Sequence, residues 1–185
     1  SETETNKGLS FSIKMRLGLS HDDEWKSILP ILNDTPLQHI TLHPRVGEQQ
    51  YKGNVNMAMF EEFLHNSKHR VIYNGDVTSL DEIKTLQETY HLAGIMLGRG
   101  LLARPTMAKE YYEGTEMDKQ ERLSTIRLMH DRLLSHYETV IHSESQRLSK
   151  IRTFWDYMEE ELDRKVWKKI MKAGNMKNYI KELPQ

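Results

Sequence analysis

Lys14, His43, Asn74, Asp76 and Arg99 are the residues of this chain whose types and settings suit chemistry, because each stands at or near the point where a short apolar run breaks off. Val71-Ile72-Tyr73 runs into Asn74-Gly75-Asp76, and Ile95-Met96-Leu97 runs into Gly98-Arg99-Gly100. An apolar run with β-branched residues that ends in glycine beside a polar side chain is how a buried parallel strand delivers its C-terminal end to a ligand. The ligand chemistry these ends suit is anionic. Gly75, Gly98 and Gly100 would let the backbone come close, and Arg99 would offer a two-pronged donor to a phosphate. Either triplet alone is a weak signal, since glycine turns mostly just end strands.

The elements that must position these residues read as alternating strands and helices. Residues 9–17 alternate like a strand, and Ser20 with Asp23 is a capping-box candidate for a helix through Trp25, Ile28, Leu29 and Leu32, distorted near its end by Pro30. A second strand over 39–42 enters a long polar loop, 43–53, and long ordered loops tend to carry function. A helix over 56–65 burying Met57, Phe60 and Leu64, a strand over 70–73, a helix capped by Ser79 and Glu82, and a strand over 94–97 complete the pattern. Four strand–helix alternations predict parallel βα units, half of a (β/α)₈ barrel, over residues 1–106. In such a barrel all strand ends lie on one face, so Lys14 and Arg16, His43 and Arg45, Asn74 and Asp76, and Arg99 would converge there.

From Met107 the strand pattern stops, and residues 107–185 read as an all-α helical bundle. Thr115 with Asp118 is the cap expected for a long helix carrying Leu123, Ile126, Leu133, Tyr137 and Ile141, ended by a serine-rich break over 143–149. Shorter helices follow, with an interruption at Gly174-Asn175. Residues 1–8 are polar and read as a lead-in without periodic structure. Arg164, Lys165, Lys168, Lys169 and Lys172 stripe one side of a helix at a spacing that fits a nucleic-acid backbone. The same stripe also suits the solvated face of an ordinary helix, balanced by Glu159, Glu160, Glu161 and Asp163 just upstream.

Composition narrows the classes. A formal net charge of −1 excludes a globally basic nucleic-acid binder while leaving room for a local basic face. Without cysteine the chain has no disulfide, thiolate metal site or cysteine catalyst of its own. His39 and His43 share a strand face but have no carboxylate or third histidine at ligand spacing, so no metal is expected. No apolar run is long enough for a membrane span, and a cytoplasmic protein is the expectation.

Taken in order, residues 12–18, 40–45, 49–53, 72–76 and 96–105 resemble the tRNA-dihydrouridine synthase family over its fifth to eighth barrel strands. The helical remainder is similar to that family's C-terminal RNA-binding domain. The resemblance implies reduction of the 5,6 double bond of tRNA uridines by FMN, itself reduced by NADPH. It implies Lys14 beside the flavin's N1 and O2 region, and His43 near the ring or the uracil. Asn74, Gly75, Asp76, Gly98 and Arg99 would hold the ribityl phosphate, and Arg45 would contact substrate or tRNA. The basic stripe would bind tRNA backbone. The family's catalytic cysteine belongs to the first half of the barrel, which implies a C-terminal fragment, inactive alone, whose open half-barrel surface could pair two copies. Two alternatives stand beside this reading: another FMN- or phosphate-binding barrel oxidoreductase acting on a small metabolite, and a non-catalytic RNA-binding module.

Overall fold

The computed structural model describes residues 9–184, so the lead-in expected over residues 1–8 lies outside the described residues. The described residues fall into two compact units that meet at Gly98 and Arg99, with Thr78–Leu80 counted with the second.

The first unit is a four-stranded parallel sheet in the order β1-β2-β3-β4, formed by β1 (Phe11–Gly18), β2 (Leu37–Val46), β3 (Val71–Asn74) and β4 (Gly94–Met96). Arg16 pairs with His43, Thr41 with Ile72, and Asn74 with Met96. Because side chains alternate along a strand, this register divides the sheet into two unlike faces. Leu17, Ile40, Leu42, Val71 and Tyr73 are buried in the core. Three helices supply the rest of it: α1 (Trp25–Asn33) through Trp25, Leu29 and Leu32, α2 (Met57–Asn66) through Phe60 and Phe63, and α3 (Leu80–Tyr90) through Ile83. Phe60 has no exposed surface and meets Tyr73 and Tyr90 edge-on, at 5.0 and 5.5 Å between centroids. The opposite face carries Lys14 and Arg16 on β1, Thr41, His43 and Arg45 on β2, and Asn74 on β3.

Local chemistry differs from expectation at the start of α1. The Ser20 and Asp23 box does not form; instead the Glu24 carboxylate accepts the backbone N–H groups of Leu19, Ser20 and His21 at 2.7–2.9 Å. An ionised carboxylate binds such N–H groups more strongly than a neutral hydroxyl, and those bonds hold its pKa down to about 2. For α2, the Asn56 side chain accepts from Met59 N–H as the cap, and its amide donates to Asp22, tying two loops together. Within α2, Phe63 rather than Leu64 joins Phe60 in the core.

The second unit is helical among the described residues: α4 (Arg99–Ala103), α5 (Met107–Glu113), α6 (Lys119–Val140), α7 (Glu144–Arg152), a 3₁₀ turn (Thr153–Trp155), α8 (Arg164–Lys172) and α9 (Met176–Lys181). Asp118 and Glu121 form the capping box of α6, one turn later than the Thr115–Asp118 pair expected. The expected serine-rich break is shorter, because Ser143 is the N-cap of α7 while Ser145 and Ser149 lie inside that helix. The core gathers Ile126, Ile151, Trp155, Ile170 and Tyr179, with a polar chain at its centre. There Trp155 Nε1 donates to the Tyr179 hydroxyl at 2.8 Å, that hydroxyl lies 2.6 Å from His130 Nε2, and His130 Nδ1 lies 2.8 Å from Asp131. Burial lowers the pKa of His130, keeping the ring neutral.

Replacing Phe60 with alanine empties the aromatic contact between α2 and β3; unfolding free energy should fall by about 3–5 kcal/mol, read from the urea midpoint at unchanged slope.

Candidate functional site

The polar face of the sheet ends in a cluster built around Arg45. Arg45 is only 1% exposed, so its charge has to be met inside the protein; its Nε finds no partner, and its terminal nitrogens carry all of its contacts. Nη1 donates to Asp76 Oδ1 at 2.9 Å and contacts His43 Nε2 at 3.1 Å, while Nη2 donates to Asp76 Oδ2 and, at 2.6 Å, to the Gly53 carbonyl. The fork thus ties together the end of β2, the loop after it and the loop after β3.

His43 lies beside three cations. Burial first, and then the charges of Arg16, Arg45 and Lys14, bring its pKa down to about 4, with Asp76 opposing. The ring is therefore neutral at physiological pH. Tyr51, in the β2–α2 loop, lies 6.4 Å from the His43 ring and carries the Arg16 guanidinium 5.7 Å from its centroid. Arg16 also donates to the Val46 carbonyl at 2.8 Å, so it is held against the loop. Lys14 is exposed on the same face, and Asn74 donates from its amide to the Met96 carbonyl at 2.9 Å, bridging β3 to β4.

The two glycines expected to serve a phosphate differ in setting. A Cβ on Gly75 would collide with the Tyr73 ring and hydroxyl, so this glycine is required by its own strand. A Cβ on Gly98 would meet nothing within 4 Å, which leaves open space at the end of β4. Burial, with the Asp76 charge next, raises the Tyr73 hydroxyl to about 12, so it remains a neutral phenol.

Of the residues expected from sequence, the structure brings Lys14, His43, Arg45, Asn74 and Asp76 onto one end of the first unit's sheet. Gly98 follows β4, and Arg99 begins α4 in the second unit. Arg45, expected as a substrate or tRNA contact, is buried, with its terminal nitrogens on Asp76, the Gly53 carbonyl and His43 and its Nε without a partner. Sequence reasoning assigned no role to Tyr51 as a neighbour of His43 or to the Gly53 carbonyl as an acceptor, although the length of the polar loop and the 49–53 motif both drew attention to that stretch.

In the second unit, Arg164, Lys165, Lys168, Lys169 and Lys172 are all exposed on α8, while Ile170 is buried and Val166, Trp167 and Met171 are half-buried. Arg164 pairs with Glu159 at 3.0 Å and Lys169 with Glu182 at 3.3 Å. An open groove of about 560 Å³ is lined by Lys168, Lys169, Lys172, Asn178 and Lys181, with Glu182 at its edge. Among the described residues no three His, Asp or Glu side chains gather as a metal site needs, and no helix is long and apolar enough to cross a membrane.

The first unit is thus a parallel α/β sheet that carries Lys14, Arg16 and a neutral His43 on one face. The family model for dihydrouridine synthase matches residues 2–183, and the chain belongs to that family. It is similar to "Probable tRNA-dihydrouridine synthase" of Rickettsia bellii (strain RML369-C), 27% identical over 133 residues, 70% of this chain and 40% of that one. The like-named protein of Rickettsia typhi (strain ATCC VR-144 / Wilmington) is 29% identical over 133 residues, with the same coverage. That of Staphylococcus aureus (strain Mu50 / ATCC 700699) is 27% identical over 154 residues, 80% of this chain and 45% of that one. The chain thus spans less than half the length of these curated relatives.

Asp76→Ala leaves the buried Arg45 fork without its anion. Stability should fall by about 1–3 kcal/mol, measured by urea unfolding, whereas the same change at the exposed Asp81 should be nearly neutral.

Proposed function

We propose that this chain is the flavin- and tRNA-holding part of a tRNA-dihydrouridine synthase, with its four strands the last four of an eight-stranded barrel over residues 1–106 and residues 107–185 a tRNA-binding helical domain. The observation that carries the reading is that neutral His43, level with Arg16, shares one sheet face with Asn74 and with Lys14 two residues before Arg16, in a chain belonging to this family. Those residues suit FMN. When bound, FMN supplies the hydride for C5=C6 of uracil after reduction by NADPH. Lys14 would supply positive charge to the flavin's pyrimidine edge, where the reduced ring is electron-rich. His43 gives that edge a hydrogen bond without changing its own charge. Asn74, Gly75, Asp76 and Gly98, all in the first unit, would hold the ribityl phosphate; Arg99 is included by the family motif alone. Since the Asp76 carboxylate is spent on Arg45, its share of that cradle falls to the backbone N–H. The cysteine that protonates C5 in the family is not among these 185 residues, so the acid is not theirs to supply.

The exposed cations of α8, together with Lys181, match the charge and spacing of a polynucleotide backbone and would orient the tRNA whose uridine is drawn out to the flavin.

Purified protein mixed with FMN and desalted should retain a flavin spectrum, and Lys14→Ala should weaken FMN binding roughly tenfold, about 1.4 kcal/mol. A chain that releases all flavin, with or without Lys14, overturns the cofactor half of the reading. In tRNA gel shifts, Lys168→Ala, Lys169→Ala and Lys172→Ala combined should flatten the dependence of log affinity on log salt by about 2 to 3. An unchanged slope means that α8 is merely a solvated face.

A further inference from the structure

We propose that Arg45 is a positioning residue that locks His43 in the Nδ1–H tautomer, making His43 a fixed hydrogen-bond donor with no lone pair left to take a proton. The terminal nitrogens of a guanidinium carry four hydrogens, and at Arg45 they have four partners: both oxygens of Asp76, the Gly53 carbonyl and His43 Nε2. Arginine has no acceptor, so in the contact at 3.1 Å the ring nitrogen must be the one that accepts. A neutral ring whose Nε2 accepts carries its proton on Nδ1, opposite to the tautomer imidazole prefers in water.

The other groups around the ring act in the same direction or leave the lock alone. Lys14 and Arg16 on β1 oppose a second proton on the ring, and Asp76 is already engaged with the fork. Tyr51 contributes a ring contact from the loop. The anchoring is strong because Arg45 is itself buried and cannot swing to water. His43 is thereby excluded as a general acid or base in any reaction at these strand ends, and serves by donating to a carbonyl or an electron-rich nitrogen of the ligand. The tautomer follows from the Arg45 geometry alone; that the acceptor belongs to a flavin rests on the function proposed above.

The test is long-range ¹⁵N correlation NMR of the ¹⁵N-histidine-labelled full chain, with the His43 signals assigned by their loss in His43→Gln. Expected at neutral pH is an unprotonated, pyridine-like Nε2 and a pyrrole-like Nδ1, persisting well below pH 6.5, with titration near pH 4. Arg45→Met should bring back Nε2–H and return the titration toward 6.5. Should that variant not fold, Asp76→Asn, whose amide cannot anchor both prongs, should raise the Nε2–H fraction. A native His43 in the Nε2–H form, or one titrating like a surface histidine, overturns the lock, as does a folded Arg45→Met variant with an unchanged tautomer. Adding FMN separates the two readings. A shift of the Nδ1 signal supports the flavin as acceptor, while an unmoved signal in a locked ring leaves the lock standing and counts against the flavin.

Discussion

A positive charge buried at the end of β2 sets the terms for everything around it. Taking a guanidinium out of water is tolerable only where its charge is matched and its donors are all but fully used. Arg45 meets that condition by drawing in Asp76 from beyond β3, the Gly53 carbonyl from the loop after β2, and His43 from its own strand. The long loop and the Asn74-Gly75-Asp76 turn are thereby held to one another through the Arg45 side chain. Gly75 fits the same scheme, since the turn passes so close to the Tyr73 hydroxyl that no side chain fits.

The electrostatic consequence is a strand-end surface with three cations, one engaged carboxylate and a histidine that stays neutral. Burial and these charges together keep His43 unprotonated near neutral pH. Under the function proposed above, the task of these residues in a chain of the dihydrouridine synthase family is to hold and orient a cofactor.

The helical unit is held by a different kind of polar interior. Trp155, Tyr179, His130 and Asp131 form a chain in which each member supplies what the next lacks, so polar groups cross an apolar core without an unmet partner along the chain. With its buried side so specified, the outer side of α8 is free to carry Arg164, Lys165, Lys168 and Lys172 into solvent.

Periodicity alone was enough to locate the four parallel strands to within two residues or so at most ends, the amphipathic division of α8, and the break at Gly174-Asn175, because each depends on which side of an element is apolar. The strand-end residues Lys14, His43, Asn74 and Asp76 were legible for the same reason: they are polar where the runs around them are not. What only the tertiary structure decided is which of these polar groups satisfy one another. Glu24 displaced the expected Ser20 and Asp23 box because loop folding brought three N–H groups within its reach. Arg45, an apparent surface contact by its motif, turned inward because Asp76, 31 positions away, and the Gly53 carbonyl offered it partners there. Pattern records the sidedness of a segment, whereas hydrogen-bond pairing between distant segments depends on distances that exist only once the sheet has formed.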